Sequence, residues 1–279
     1  MNKKDIRLVV LDLDGTYFHR HSRMSPYARE TLSLLRENGI MVMINSGRAL
    51  PNITGIIPPE LFDYAASMNG LDLYIRKEDR HIRQSYLQKE DLAVLRKYPH
   101  RYAAILLAFT PDGYYHLTGR KHHISQELFS RMLRRRHIRK GIRYGSGQAN
   151  DPAFEKYREI AKISYFGLPN TLKRMEKEMD RTTSYSHYFV HPACLEITCP
   201  GVSKGAALKQ VMEMEGLSSE NIAAFGDGEN DIPMLDLAAI RVVPENAMKE
   251  TKKHATHIVP SCSQDSIAKW IRANILISQ

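Results

Sequence analysis

The sequence predicts an α/β protein, a doubly wound and mainly parallel sheet interrupted by an inserted α+β unit. Three observations carry this expectation. Roughly the first eighty residues alternate short apolar runs with amphipathic helical patterns. From about residue 84 the texture changes to paired strand signals mixed with helices, richer in tyrosine and arginine. From about residue 191 the βα alternation returns and continues to the end. The expected boundaries are therefore 1–83 and 191–279 for the two core segments, and 84–190 for the insert.

Each element has its own signal. The run "RLVVLD" (7–12) reads as a strand buried on both faces, as parallel strands are. In "MSPYARETLSLLRENG" (24–39), Ser25 is placed to cap a helix, Pro26 to open it and Gly39 to end it. Ala28, Leu32 and Leu35 give that helix an apolar stripe. "IMVMINSGR" (40–48) supplies a second strand and "YAASMNG" (64–70) a third; right-handed crossovers would lay them parallel. In the insert, "YAAILLAF" and "GYYHLTG" flank the turn signal "TPDG" and read as paired strands. A helix near 125–138, a strand in "AKISYFG", a helix in "NTLKRMEKEMD" and a strand in "SYSHYFVHP" follow. The alternation resumes around "CLEITCPGVSKGAAL" and runs through "NIAAFGD", "AAIRVV" and "THIVP" to a closing helix in "QDSIAKWIRANIL".

Composition narrows the class. The 279 residues, 43% hydrophobic and 25% charged, are ordinary for a soluble protein with a large core. The strongly apolar stretch "AAILLAF" is far too short to span a bilayer. The amino terminus lacks the apolar region and small-residue site of a signal peptide, and three cysteines make no disulfide framework, so a reducing cytoplasm is expected. The net charge of +9 suits either an anionic substrate or nucleic acid. Residues 131–143 hold seven arginines and lysines and no acid, which first of all describes a solvated helix face. No aromatic RNA-binding signature or paired zinc-ligand spacing accompanies that run, so nucleic acid is not expected as a partner.

Three apolar runs of the core end in polar groups: "RLVVLD" in Asp12, "IMVMINS" in Ser46, and "NIAAFGD" in Asp227. A parallel sheet puts all carboxyl ends of its strands on one edge, where ligands bind, so residues two hundred apart in sequence can meet there. The acids Asp12, Asp14, Asp227 and Asp231, with Asn230 beside them, offer oxygen donors without a convergent histidine or cysteine set, which favours Mg²⁺ over zinc or copper. Lys204, at the predicted start of a helix, would add positive charge. Ser46, Gly47 and the following amides could donate to phosphate oxygens. Taken singly, Lys204 is a surface lysine, Ser46 a turn residue and Asp231 an N-cap.

"DLDGT" (12–16), Ser46 in "INSGR", Lys204 in "VSKGAAL" and "GDGENDIPML" (226–235) resemble, in order, the four motifs of haloacid-dehalogenase-like phosphohydrolases. The likeness is to the Cof-type branch, whose large class IIB cap sits between the second and third motifs of a Rossmann-like core. The resemblance implies a Mg²⁺-dependent phosphatase acting on a small phosphorylated metabolite such as a sugar phosphate, a nucleotide or flavin phosphate, or pyridoxal phosphate. It implies that Asp12 attacks phosphorus to form an aspartyl-phosphate, and that Asp14 protonates the leaving group and then activates water. Asp12, the main-chain carbonyl of Asp14 and Asp227 would hold the metal, with Asp231 orienting that shell or binding through water. Ser46, Gly47, Lys204 and Asn230 would hold the phosphoryl oxygens. A phosphomutase on the same core, or a phosphoacceptor module that does not turn over, are the alternative readings.

The chain also departs from that pattern. Tyr17 and Phe18 follow "DGT" where leucine is usual at the first position, and would reshape the pocket; serine replaces the commoner threonine at Ser46; "SQDSIAKWI" replaces an acidic-glycine turn. His19 and His21 read as exposed loop histidines before a metal pair. Cys194 and Cys199, on opposite faces of a predicted strand, read as small buried thiols rather than a metal or redox site with His191. Glu196 suits local hydrogen bonding. Arg48 and Asn69 would either touch substrate or tie loops together. Of Tyr114 and Tyr115, one is expected in the core and the other at the pocket.

Overall fold

Two units divide the chain: Met1–Gln84 with Val202–Gln279, and Ser85–Gly201. The computed structural model describes residues 5–18, 24–102, 104–110, 113–118, 143–148 and 160–276. His19, His21, the helix expected near 125–138 and residues 131–142 of the basic run lie outside them.

The described strands of the first unit form one eight-stranded sheet. In chain order they are β1 (Leu8–Leu11), β2 (Met41–Asn45), β3 (Tyr64–Ser67), β4 (Asp72–Ile75), β5 (Arg80–Arg83), β12 (Ile222–Phe225), β13 (Ile240–Pro244) and β14 (His257–Val259). Across the sheet the order is β14-β13-β12-β1-β2-β3-β4-β5. From β14 to β3 every pairing is parallel. β1 therefore stands where the chain winds outward to either side, the switch point at which α/β sheets place their ligands. All four of its residues are wholly buried, as the unbroken run LVVL requires when helices cover both faces.

β4 and β5 add an antiparallel hairpin that was not read from the sequence. Its turn is made by Asp79 at φ 47°, and the outer strand RHIR exposes Arg80 and Arg83, charges that discourage further pairing at a sheet edge.

The helix Pro26–Glu37 forms as its sequence predicts. The Ser25 hydroxyl accepts from the Ala28 amide at 3.0 Å, Pro26 opens the first turn, and Ala28, Leu32 and Leu35 are buried. Tyr17 joins this layer. Its ring is completely buried and its hydroxyl donates to the Ala28 carbonyl at 2.6 Å, and Phe18 is buried in the same cluster. These two residues fill the core rather than reshape a pocket: beyond Leu11 the chain turns, and the turn carries them under the helix. Tyr17→Phe is expected to cost about 1 kcal/mol, the net worth of one buried hydrogen bond, and thermal unfolding measures it.

The second unit is built on a sheet of order β10-β11-β9-β6-β7-β8. Its strands are β6 (Ile105–Thr110), β7 (Gly113–Thr118), β8 (Arg143–Gln148), β9 (Lys162–Phe166), β10 (Ser186–His191) and β11 (Cys194–Thr198). β6 and β7 pair as the expected hairpin, with Tyr114 opposite Phe109 and Tyr115 opposite Ala108 in backbone register. β11 pairs antiparallel with both β10 and β9. "CLEIT" thus belongs to this sheet, and the return to the first unit comes at Val202 rather than 191. The apolar period of the strand is the same in either sheet, so only its partners reveal where it belongs.

Ile163 and Tyr165 on β9 are buried on one face, where Tyr165 donates to the Leu95 carbonyl at 2.6 Å and its ring lies 6.1 Å from that of Tyr98. On the other face Glu196 accepts from Lys162 at 2.7 Å and from Ser164 at 3.1 Å, all three buried. Local pairing is what Glu196 does here. Cys194, Cys199 and Cys262 are buried free thiols, and burial pushes Cys199 up to about 11. Among the described residues no helix is long and apolar enough to cross a membrane.

Candidate active site

Asp12 follows β1 directly, and its amide donates to the Phe225 carbonyl of β12 at 3.0 Å, prolonging the parallel ladder by one bond. Asp227 stands two residues beyond β12. The register Leu11↔Phe225 thus sets the two acids side by side although 215 positions separate them in the chain. Gly15, between them, has φ 91°, and a side chain there would run into the Asp227 carboxylate. The glycine of "DLDGT" is needed for both reasons.

Asp231 closes the "GDGEND" turn. Its Oδ2 accepts from the amides of Asp227 at 2.8 Å and Gly228 at 2.9 Å, and Gly226 leaves room for its side chain. Its Oδ1 accepts from Lys204 Nζ at 2.5 Å. The same ammonium donates to Asp12 Oδ1 at 2.5 Å. Lys204 opens the helix Lys204–Glu215, which Ser203 caps by accepting from the Ala206 amide at 3.0 Å. A cation at the positive end of a helix dipole is unfavourable by itself; here two carboxylates oppose it.

Side-chain oxygens of Asp12, Asp227 and Asp231 all lie within 4.8 Å of one another. Asp12, Lys204 and Asp231 are buried, so this charge is nearly dry. Burial pushes Asp12 up to about 7 against the pull of Lys204, with Asp231 and Asp14 adding repulsion. Asp227 is pushed well above the carboxylate range by loss of water and then by Asp12 and Asp231, while Thr16 and Lys204 oppose the shift. Burial would lower Lys204, but Asp12 and Asp231 outweigh it and hold the ammonium above its ordinary range. Three convergent carboxylates thus face one lysine. The donor set is all oxygen, and the negative charge left over is what a hard divalent cation would neutralise.

Ser46 stands one residue beyond β2 and is buried; Gly47 follows it. The Ser46 hydroxyl accepts from the Arg48 amide at 3.3 Å. Asn230 is buried and donates to Asn69 Oδ1 at 3.1 Å, so Asn69 ties one loop to another. Asp14 does not join the carboxylate cluster through its side chain. Arg48 holds both of its oxygens, Nε donating to Oδ2 and Nη2 to Oδ1, each at 2.5 Å. β1 ends at Leu11, so the pleat of the strand does not set the direction of Asp14.

Four supporting residues were not read from the sequence. Thr16 donates to Asp227 Oδ1 at 3.0 Å. Asn45 donates to the Lys204 carbonyl at 2.9 Å, fixing the start of the lysine's helix. Asn246 donates to the Gly15 carbonyl at 2.7 Å and accepts from the Cys262 amide at 3.0 Å, joining three loops of the rim. Asp265, in the departed C-terminal turn, takes φ 54° in place of the usual glycine, a conformation aspartate tolerates. Thr16 had a signal in its place within "DLDGT"; the two asparagines had none.

A family model described as haloacid dehalogenase-like hydrolase matches residues 9–271. The pyridoxal phosphate phosphatase YbhA of Escherichia coli (strain K12) is 26% identical over 285 residues, covering 97% of this chain and 99% of the relative. The HMP-PP phosphatase of Klebsiella pneumoniae (strain 342) is 24% identical, covering 95% and 94%. Among solved structures, SMU.1108c from Streptococcus mutans UA159 superposes with a TM-score of 0.81 at 20% identity, covering 97% and 99%. The family match takes in both segments of the first unit and the whole carboxylate–lysine cluster, and the chain belongs to the haloacid dehalogenase-like hydrolases.

Proposed function

We propose that this haloacid dehalogenase-like phosphatase hydrolyses a small phosphorylated metabolite through an aspartyl-phosphate formed on Asp12. The observation that carries the reading is the Lys204 ammonium set between Asp12 and Asp231, with the Asp227 carboxylate beside them. Lys204 holds one oxygen of Asp12 and fixes its direction, leaving the other for attack on phosphorus. Asp14 gives its proton to the departing oxygen, then takes one from the water that cleaves the acyl phosphate, restoring Asp12 and releasing inorganic phosphate. Ser46, the Gly47 amide, Asn230 and Lys204 receive the phosphoryl oxygens. Asp12, Asp227 and the main-chain carbonyl of Asp14 would hold Mg²⁺, which supplies charge neutralisation between the carboxylates and the phosphate dianion. Asp231 serves as a brace, since both its oxygens already accept hydrogen bonds from the lysine and the turn.

The second unit, 85–201, is proposed as a class IIB cap that supplies specificity. Relatives are named for pyridoxal phosphate, HMP-PP and 5-amino-6-(5-phospho-D-ribitylamino)uracil, so the substrate candidates are pyridoxal phosphate, sugar phosphates and nucleotide or flavin phosphates.

Phosphate release over such a panel tests the reading. With Mg²⁺ the protein is expected to turn over at least one ester many times, to stop with EDTA and to recover when Mg²⁺ is restored. A single stoichiometric phosphorylation would make it a phosphoacceptor, and turnover indifferent to chelation would remove the metal.

A further inference from the structure

Resting on that reading, the geometry assigns Arg48 a positioning role: it takes one lone pair on each oxygen of Asp14, and so holds the carboxyl with a remaining lone pair to carry the proton to the leaving oxygen. A planar guanidinium with two parallel contacts fixes both torsions of an aspartate, which a single contact does not. Here Nε and Nη2 each meet a different oxygen of Asp14.

The backbone bearing Arg48 is itself held with unusual care. Its amide donates to Ser46 Oγ at 3.3 Å, and its carbonyl accepts from the Met68 amide at 2.9 Å. Met68 and the next residue, Asn69, stand at φ 50° and 61°, left-handed conformations that cost side-chain-bearing residues energy. The Asn69 amide donates to the Ser46 carbonyl at 3.1 Å, and Gly70, at φ 96°, is packed against the Ser203 carbonyl. Backbone strain is thus spent on fixing residues 46–48.

Stability does not account for that expense. The Arg48 and Asp14 side chains are 25% and 29% exposed, and ion pairs open to water in this way add little to stability. The strands that precede them are already joined by the β1–β2 ladder. What the pair adds is direction. Without it, Asp14 would be a part-exposed side chain free to turn toward water.

The chemistry separates this role from a structural one. When Asp12 forms its bond to phosphorus, the bond to the leaving oxygen breaks, and an alkoxide needs the Asp14 proton whereas a nitrophenolate leaves without one. The ratio kcat/KM reports the first step alone if the aspartyl-phosphate does not revert. Arg48→Ala is therefore expected to lower kcat/KM by about 10–100-fold on the best alkyl ester of the panel, and far less on p-nitrophenyl phosphate. On the aryl ester a burst of nitrophenolate should precede a slowed steady state, because the water step also needs Asp14. Arg48→Lys keeps the charge but loses the two-pronged grip, and should recover only part of the loss. Asp14→Asn should show the same preference for the aryl ester, and adding Arg48→Ala to it should cost nothing further. Equal losses on the two esters, full recovery with lysine, or additive losses in the double variant would overturn the assignment. Thermal unfolding of each variant separates these results from misfolding. Mg²⁺-independent turnover by the unmodified protein, or an active Asp12→Asn, would instead overturn the proposed function itself.

Discussion

Asp12→Asn is expected to abolish phosphate release while leaving the fold intact. The amide matches the carboxylate in size and still offers an oxygen to Lys204, but it cannot attack phosphorus. Removal of a nucleophile from a unit of cooperating groups costs on the order of 10⁴-fold or more in turnover. The same variant should show a distinctive pH dependence of stability without metal. Asp12 is raised in the folded protein from 3.8 to about 7, first by burial. A raised carboxyl favours the folded state while it is protonated, and that advantage disappears as pH climbs from about 4 through about 7. Over this window the metal-free protein should lose stability relative to Asp12→Asn, and added Mg²⁺ should close the gap. Parallel melting curves for the two proteins from pH 5 to 8 measure it. A gap that narrowed with rising pH would mean that the lysine already neutralises the cluster, and residual turnover in the variant would place the attack elsewhere.

Lys204→Met should have the largest effect on stability. Lys204 is 1% exposed and is the partner of two buried carboxylates. Deleting one side of a buried ion pair leaves the other charge stranded, at a cost of about 3–5 kcal/mol. In a chain of this size that lowers the melting temperature by roughly 6–20 °C. Methionine fills similar volume, so the loss is not one of packing. Lys269→Met, at an exposed site, is the control and should melt within a few degrees of the unmodified protein. Because Asp12 and Asp231 hold the ammonium above its ordinary range, its contribution should persist across neutral pH. Mg²⁺ should return part of the lost stability to Lys204→Met by neutralising the same acids, but not its turnover. Equal melting of Lys204→Met and the control would show that the triad is not under electrostatic load.

The parallel part of the fold was legible because β1, β2 and β12 are short apolar runs leading into polar groups, and the helices Pro26–Glu37 and Lys204–Glu215 are capped by Ser25 and Ser203. β1, β2 and the helix Pro26–Glu37 appear where their residues put them. The hairpin of β4 and β5 was not legible: its outer strand is RHIR, and a solvated edge has too little apolar pattern to read. β11 was read as a strand, but the partners of an apolar strand are decided by surfaces far away in sequence. The converging acids were legible for a topological reason, since parallel strands deliver their ends to one rim. Which acid faces which was not, because Asp14 lies past the strand end, where the pleat no longer sets direction. The grip of Arg48 on Asp14 depends on two loops meeting, and "INSGR" alone does not tell it.

β1 has a parallel partner on each side and none of its residues reaches water. Its amides belong to the part of such a sheet that opens only with the whole domain. A group mounted on that strand keeps its coordinates while outer strands and surface loops fluctuate. The residue proposed to carry the covalent step is thus anchored to the buried interior of the sheet, and thermal softening would reach the outer strands first.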